Sequence, residues 1–258
     1  MEYIIVEKKG KKGIICLNRP EKRNALSYEL VTELKKAITE FCHNRRIKVI
    51  ILRARGKAFC AGADLGYIQQ LQKNTYEENL EDSRHLKELF ELIYSCEKPV
   101  IAEVQGHAIA GGCGLATICD FVFSVPEAKY GYTEVKIGFI PALVSVFLAR
   151  KIGEGRAKEM LLGGKLYSAK EALSKGLINQ LVEADMLKSK TEEFAQALIE
   201  DNSGEAMGLT KQLFTEVQGK TLPQALDRMA ELNAEARGTE DCKKGISSFL
   251  NKEPIKWG

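Results

Sequence analysis

Through its first half the chain alternates short apolar runs with segments of helical period, and in its second half it turns almost wholly helical. YIIVEK (3–8) and GIICLN (13–18) flank KGKK and predict a β-hairpin turned at glycine. Ser27 predicts a helix cap ahead of Leu30, Leu34, Ile38 and Phe41, which recur at helical spacing. VIILRA (49–54) predicts a short buried strand, and Leu86, Leu89, Phe90 and Ile93 form the apolar face of a helix over 83–94. VIAEV (100–104) predicts a strand, LATIC (115–119) a helix start and FVFSV (121–125) another strand. This alternation predicts an α/β fold with crossover connections.

After about residue 140 only GLINQLV (176–182) reads as a strand. SAKE (168–171) is a capping box ahead of Ala172 and Leu173. Helical patterns occupy 189–200, 204–217, 223–237 and 239–250, with Pro223 suited to a first turn. The expectation is an α/β core over 1–195 that carries the active site, and a helical region over 196–258. Amphipathic helices that cannot bury both faces alone predict packing against another subunit.

Composition narrows the classes. The 258 residues carry 38 basic and 35 acidic side chains in mixed order, for a net charge of +3, and show no basic stripe with interleaved aromatics. No nucleic-acid partner is expected. Seven cysteines without paired spacing, and a start (MEYIIVEKKG) that turns charged at once, predict free thiols in a reducing cytoplasm. The longest apolar stretch, near 108–119, is short and rich in glycine, so no membrane association is expected.

The chemistry concentrates in QGHAIAGGCGLATIC (105–119), where Gly106, Gly111, Gly112 and Gly114 join a strand to a helix. The first N–H groups of a helix have no internal partner and favour negative charge. Such a turn can bind phosphate or a developing oxyanion. Neither GxxxxGK[ST] nor GxGxxG is present, which favours the oxyanion; close packing of helix on strand through small residues is the structural alternative. GKAFCAGADL (56–65) is a second glycine-bearing turn after a strand, and two such turns can each supply one N–H to a single carbonyl oxygen.

LNRPEKRNAL (17–26), GKAFCAGADL (56–65), KPVIAEVQGHAIAGGCGLATICDF (98–121) and YGYTEVKIGFIP (130–141) together resemble, in order, the motifs of the crotonase superfamily, the enoyl-CoA hydratase/isomerase family. The resemblance implies a spiral of ββα turns with a C-terminal helical region, assembled as a trimer or a dimer of trimers. It implies a lyase (hydro-lyase) that adds water to a 2-enoyl-CoA, with the thioester carbonyl held by the N–H groups of Ala63 and Gly111. It implies that Ala25, Ala61, Ala63, Asp64, Leu65 and Gly111 line the CoA pocket, and that Phe249 and Lys252 reach the CoA of a neighbouring subunit. CoA is then part of the substrate, and neither a separate cofactor nor a metal is expected.

Two departures matter. Hydratases of the family often carry a glutamate where this chain has Gly114, and a second that matches Glu134; only the second is present here. Glu134 must then serve both proton transfers in a hydration, or catalyse a proton shift alone. The bulky PALVSVFLAR (141–150) also replaces a glycine-rich stretch. The combination is closest in pattern to bacterial methylglutaconyl-CoA hydratases of leucine breakdown. An isomerase working with one carboxylate and a binding protein that keeps the fold without chemistry are the alternatives. Cys113 has no histidine placed to activate it, and His43, His85 and His107 lack metal-ligand spacing. Asp64 is read as a brace for the first turn, Asp120 as structural, and the basic tail (Lys243, Lys244, Lys252, Lys256) as a solvated face or an aid to the CoA phosphates.

Overall fold

The structure, a computed structural model, describes residues 1–257, apart from the side chain of Leu65. In chain order, β1 (Ile4–Lys9), β2 (Lys12–Leu17), α1 (Tyr28–His43), β3 (Val49–Ala54), β4 (Ala58–Cys60), α2 (Leu65–Leu71) and α3 (Tyr76–Ser95) come first. They are followed by β5 (Val100–Val104), β6 (His107–Ile109), α4 (Gly111–Thr117), β7 (Phe121–Ser124), β8 (Lys129–Gly131), α5 (Ala142–Ile152) and α6 (Glu154–Gly163). The chain continues through β9 (Tyr167–Ser168), α7 (Ala169–Ser174), β10 (Gln180–Leu181), α8 (Leu187–Asp201), α9 (Gly204–Glu216), α10 (Leu222–Gly238) and α11 (Glu240–Asn251).

The spiral is visible in the pairing. β3, β5 and β7 add in parallel to the β1–β2 hairpin, and with β10 they make a six-stranded sheet in the order β1-β2-β3-β5-β7-β10. The strand that follows each of them, β4, β6 and β8, joins a second sheet closed by β9. Each ββ pair thus contributes one strand to each sheet. The large sheet reads as continuous apolar sequence because helices cover it on both sides: α1 packs on β1 and β2, and α8 packs on β3, β5 and β7.

β4, β6 and β8 escape the sequence patterning because three residues are too few to show a period. α4 begins at Gly111 itself, ahead of the apolar run LATIC, so the glycines lie inside the first turn of the helix. α3 begins at Tyr76, seven residues before the expected start, behind a Thr75–Glu78 capping box. Of GLINQLV only Gln180–Leu181 pairs as a strand. The 195 boundary falls within α8, which buries Leu187, Thr191, Ala195 and Ile199; the helices that follow it begin at Gly204.

Three lysines terminate helices by donating to their last carbonyls. Lys98 Nζ bonds Phe41 O and Asn44 O at the end of α1, and Lys151 Nζ bonds Thr117 O (3.0 Å) and Cys119 O (2.7 Å) at the end of α4. Lys211 Nζ bonds Ile93 O (3.0 Å) in the last turn of α3, Lys98 O (3.3 Å) and the Asp120 carboxylate (2.7 Å). A cation at these ends meets both the unpaired carbonyls and the negative pole of the helix. Asp120 also accepts the Val100 N–H, so it ties α9 to β5.

Asn24 is the other latch. It is fully buried at φ 53°, its Oδ1 accepts the Arg19 N–H, and its Nδ2 donates to Arg55 O (2.8 Å) and Ala58 O (2.9 Å). It thereby fixes the 19–26 loop against β4. Asn24→Ala is expected to lower stability by roughly 2–3 kcal/mol, from buried groups left unpaired and from alanine at positive φ. A urea titration monitored by circular dichroism reads this as a lower midpoint at unchanged slope.

Candidate active site

Two peptide planes define the site. Leu26 forms a parallel bridge with Ala63: its N–H donates to Gly62 O (2.7 Å), and its carbonyl accepts the Asp64 N–H (3.0 Å). That pattern uses the groups on either side of Ala63. The N–H of Ala63 belongs to the peptide whose carbonyl is Gly62 O, and in a trans peptide the N–H and C=O point opposite ways. The Ala63 N–H is therefore directed away from Leu26, and no acceptor takes it among the described residues.

The second plane is built the same way. Ala110 caps α4 at φ 53° and ψ −128°, a conformation that L residues rarely adopt. Its N–H donates to Gly131 O (2.8 Å), and its carbonyl accepts the Gly114 N–H (3.0 Å) inside the helix. The Gly111 N–H, opposite that carbonyl, leaves the helix at its N-terminus, and it too has no acceptor among the described residues. The two planes are close: a Cβ placed on Gly62 would lie 2.9 Å from Ala110 Cβ and 3.7 Å from Gly111 N. Gly62, at φ 90°, permits that approach, and Gly112 permits α4 to sit on β4, since a Cβ there would enter the Cys60 carbonyl.

Glu134 opens a 3-10 turn (Glu134–Ile137) three residues after β8, whose Gly131 holds Ala110. Burial pushes the Cys113 thiol on α4 up to about 12, and the Glu134 carboxylate adds a smaller push in the same direction. Burial likewise raises the pKa of Glu134 above the ordinary 4.5, and the backbone amides of Glu134 and Thr133 oppose it only in part. Glu134 Oε2 is buried without a hydrogen-bond partner among the described residues. An acceptor so placed suits a proton taken from a bound molecule. Tyr132, two residues before Glu134, is turned into the core: its hydroxyl pairs with Thr117 Oγ1 at 2.8 Å, and the ring is fully buried.

The other candidates divide. Ala25 is buried and Ala61 half-buried against the first turn, where Ala61 N–H donates to Arg23 O (3.1 Å). Asp64 caps α2 by accepting from Gly66 N (2.9 Å) and Tyr67 N (3.3 Å), and it pairs with Arg19 at 3.1 Å. Leu65 starts α2, and its side chain lies outside the described residues. Phe249 and Lys252 are exposed at the end of α11, which packs on α9 and α10 within this chain. His107 is exposed and accepts the Lys129 N–H, and His85 is bound to Tyr28 O and Thr32.

Arg19, Asn24, Leu26 and Ala110 were missed in the sequence. Each acts through a partner remote in the chain or through backbone conformation, and neither leaves a local pattern. Two cavities of about 560 and 300 Å³ lie elsewhere, around Asp120, Lys211 and Phe214 where α9 meets the core. The three Lys211 protons are already spent there, so the unspent amides and the lone carboxylate mark the better site. No group of three or more His, Cys, Asp or Glu suited to a metal ion occurs among the described residues, and none of their helices is long and apolar enough to cross a membrane.

The sequence model of the family described as enoyl-CoA hydratase/isomerase matches residues 8–258. A Thermus thermophilus protein, named provisionally as an enoyl-CoA hydratase, is 42% identical over 252 residues, covering 96% of this chain and 98% of its own. The crotonyl-CoA hydratase of Syntrophomonas wolfei is 33% identical over 257 residues, covering 97% and 96%. A solved structure from Legionella pneumophila, described provisionally as an enoyl-CoA hydratase/isomerase (crotonase), superposes with a TM-score of 0.88 at 37% identity over 98% of each chain. A match over nearly the whole length, together with the ββα spiral, leaves one assignment: the chain belongs to the enoyl-CoA hydratase/isomerase family, the crotonase superfamily of enzymes.

Proposed function

We propose that the protein hydrates a 2-enoyl-CoA, with crotonyl-CoA as the first substrate to test because a relative bears that name. The observation that carries the reading is the pair of unspent amides, Ala63 N–H and Gly111 N–H, held in peptides whose carbonyls are tied down. They stabilise the negative charge that develops on the thioester oxygen when water adds to Cβ. Glu134 takes the proton of that water and returns a proton to Cα. CoA enters as part of the substrate, along the walls formed by Ala25, Ala61 and Asp64. The finer assignment to methylglutaconyl-CoA rests on the sequence pattern around Gly114, Glu134 and 141–150. A single carboxylate also supports a second reading, movement of a double bond between C3 and C2.

The purified protein, mixed with crotonyl-CoA, a branched dicarboxylic enoyl-CoA and a 3-enoyl-CoA in turn, tests these readings. Hydration bleaches the absorbance of the conjugated thioester, and a double-bond shift creates it. Bleaching of neither 2-enoyl-CoA overturns the proposal.

Glu134→Gln keeps the shape and removes the base, so turnover is expected to fall by about 10²–10⁴-fold with KM little changed. The wild-type rate is expected to decline with falling pH through a pKa above 4.5, because the base must be ionised and burial raises it. The residual rate of the variant lacks that limb. Folding is unharmed by this change. A carboxyl whose folded pKa is raised contributes stability that is present at low pH and lost as pH rises through that pKa, so at neutral pH Gln forfeits nothing. Retention of near-full turnover by Glu134→Gln would remove Glu134 from the mechanism.

We propose also that the subunits associate as a trimer or a dimer of trimers through the tail. Leu222 (72%), Phe249 (82%) and Leu250 (72%) are exposed there, and α11 buries no residue within this chain. Sedimentation equilibrium is expected to give a multiple of three subunits, and Phe249→Glu with Leu250→Glu a smaller species. A wild-type monomer at micromolar concentration refutes the assembly.

A further inference from the structure

α4 carries Gly111 and Gly114 three residues apart, hence on one face of the helix. Side chains on a helix tilt back toward its N-terminus. A side chain at 114 would therefore rise toward the end where the Gly111 N–H emerges. That space is filled. A Cβ on Gly114 would come closer than 3.0 Å to Val144 Cγ1, with Val144 Cβ at 3.2 Å and Phe90 Cε2 at 3.3 Å. Neither neighbour can retreat easily. Phe90 is fully buried in α3, and Val144 is nearly so on the first turn of α5, with a branched side chain that has little rotamer freedom.

We infer that Gly114 and Val144 form one steric unit, in which Val144 closes the place where a second proton-transfer group would stand, and that Val144 is thereby the residue that sets which reaction the site favours. The inference rests on the proposed enoyl-CoA chemistry, and the steric half can be tested without it. It joins two features of the sequence that looked independent, the glycine in α4 and the bulky run 141–150. It follows that Gly114→Glu alone cannot add a useful carboxylate, because its Cβ collides and its charge enters an apolar wall made by Val144 and Phe90. With the wall closed, Glu134 is the carboxylate left to serve the two amides, and the acyl group meets hydrocarbon where a second carboxylate would otherwise bind water.

The first experiment is a thermal-unfolding cycle over wild type, Gly114→Ala, Val144→Ala and the double variant. Gly114→Ala is expected to lower Tm by about 5 °C through overpacking. Val144→Ala also lowers it, and the double variant lies clearly above the sum of the two because the new methyl occupies the vacated space. Additive shifts, or a Gly114→Ala protein as stable as wild type, overturn the steric unit whatever the enzyme's activity. The second experiment measures hydration of crotonyl-CoA against the double-bond shift of a 3-enoyl-CoA in the Gly114→Glu, Val144→Ala double variant. The ratio of hydration to shift is expected to rise at least tenfold over wild type, whereas Gly114→Glu with Val144 intact does not raise it. An unchanged ratio in a double variant that folds overturns the role in specificity. If wild type bleaches no enoyl-CoA while the thermal cycle still shows coupling, the proposed function has failed and the steric unit stands.

Discussion

The site depends on a backbone constraint: two peptides whose carbonyls are committed while their amides are not. Leu26 holds Gly62 O on one side, and the first turn of α4 holds Ala110 O on the other. Neither amide can rotate toward an internal acceptor without breaking the hydrogen bond that fixes its own plane. In the proposed reaction, donors held this way need no reorganisation when charge develops in front of them, which is where an electrostatic catalyst gains over water. Much of the surrounding structure keeps the planes in register. Asn24 pins the 19–26 loop to β4, Arg19 and Asp64 tie that loop to α2, and Gly131 O holds Ala110.

The ββα repeat explains how residues so far apart in sequence meet. After the β1–β2 hairpin, each ββ pair sends its second strand to the small sheet, so β4, β6 and β8 lie side by side with their C-terminal ends together. From those ends start the Ala63 turn, the Ala110–Gly111 turn and the segment that carries Glu134. One element of parallel pairing therefore brings together the three loops that the proposed function uses. Lys98, Lys151 and Lys211 do comparable work at the opposite poles of helices, where carbonyls would otherwise end unpaired in the interior.

The long periodic elements were legible in the sequence. α1 has its Ser27 cap and its four apolar positions, and the tail helices begin and end within two residues of the apolar pattern. The site was legible in part, because glycines clustered at strand-to-helix junctions announce backbone chemistry. The remainder was hidden for physical reasons. Three-residue strands have no period, a positive φ at Ala110 leaves no mark in a residue that is commonplace in helices, and the Val144–Gly114 contact joins positions thirty residues apart. Nearness in sequence can also mislead: the Tyr132 hydroxyl, two residues before Glu134, points into the core toward Thr117.

The close packing around Gly62, Ala110 and Gly112 has a consequence for how such a site can vary over evolutionary time. Its strictest requirements are upper limits on volume. No hydroxyl, thiol or imidazole is needed at Gly62 or Gly112, and a methyl at either already crowds its neighbours, Ala110 Cβ for Gly62 and the Cys60 carbonyl for Gly112. Under the proposed chemistry, a chain can change its reaction by altering Glu134 or the wall at Val144 and still keep the two amides, because they are main chain. The features most resistant to change are then the least conspicuous in chemical terms, and a search for reactive side chains alone would pass over them.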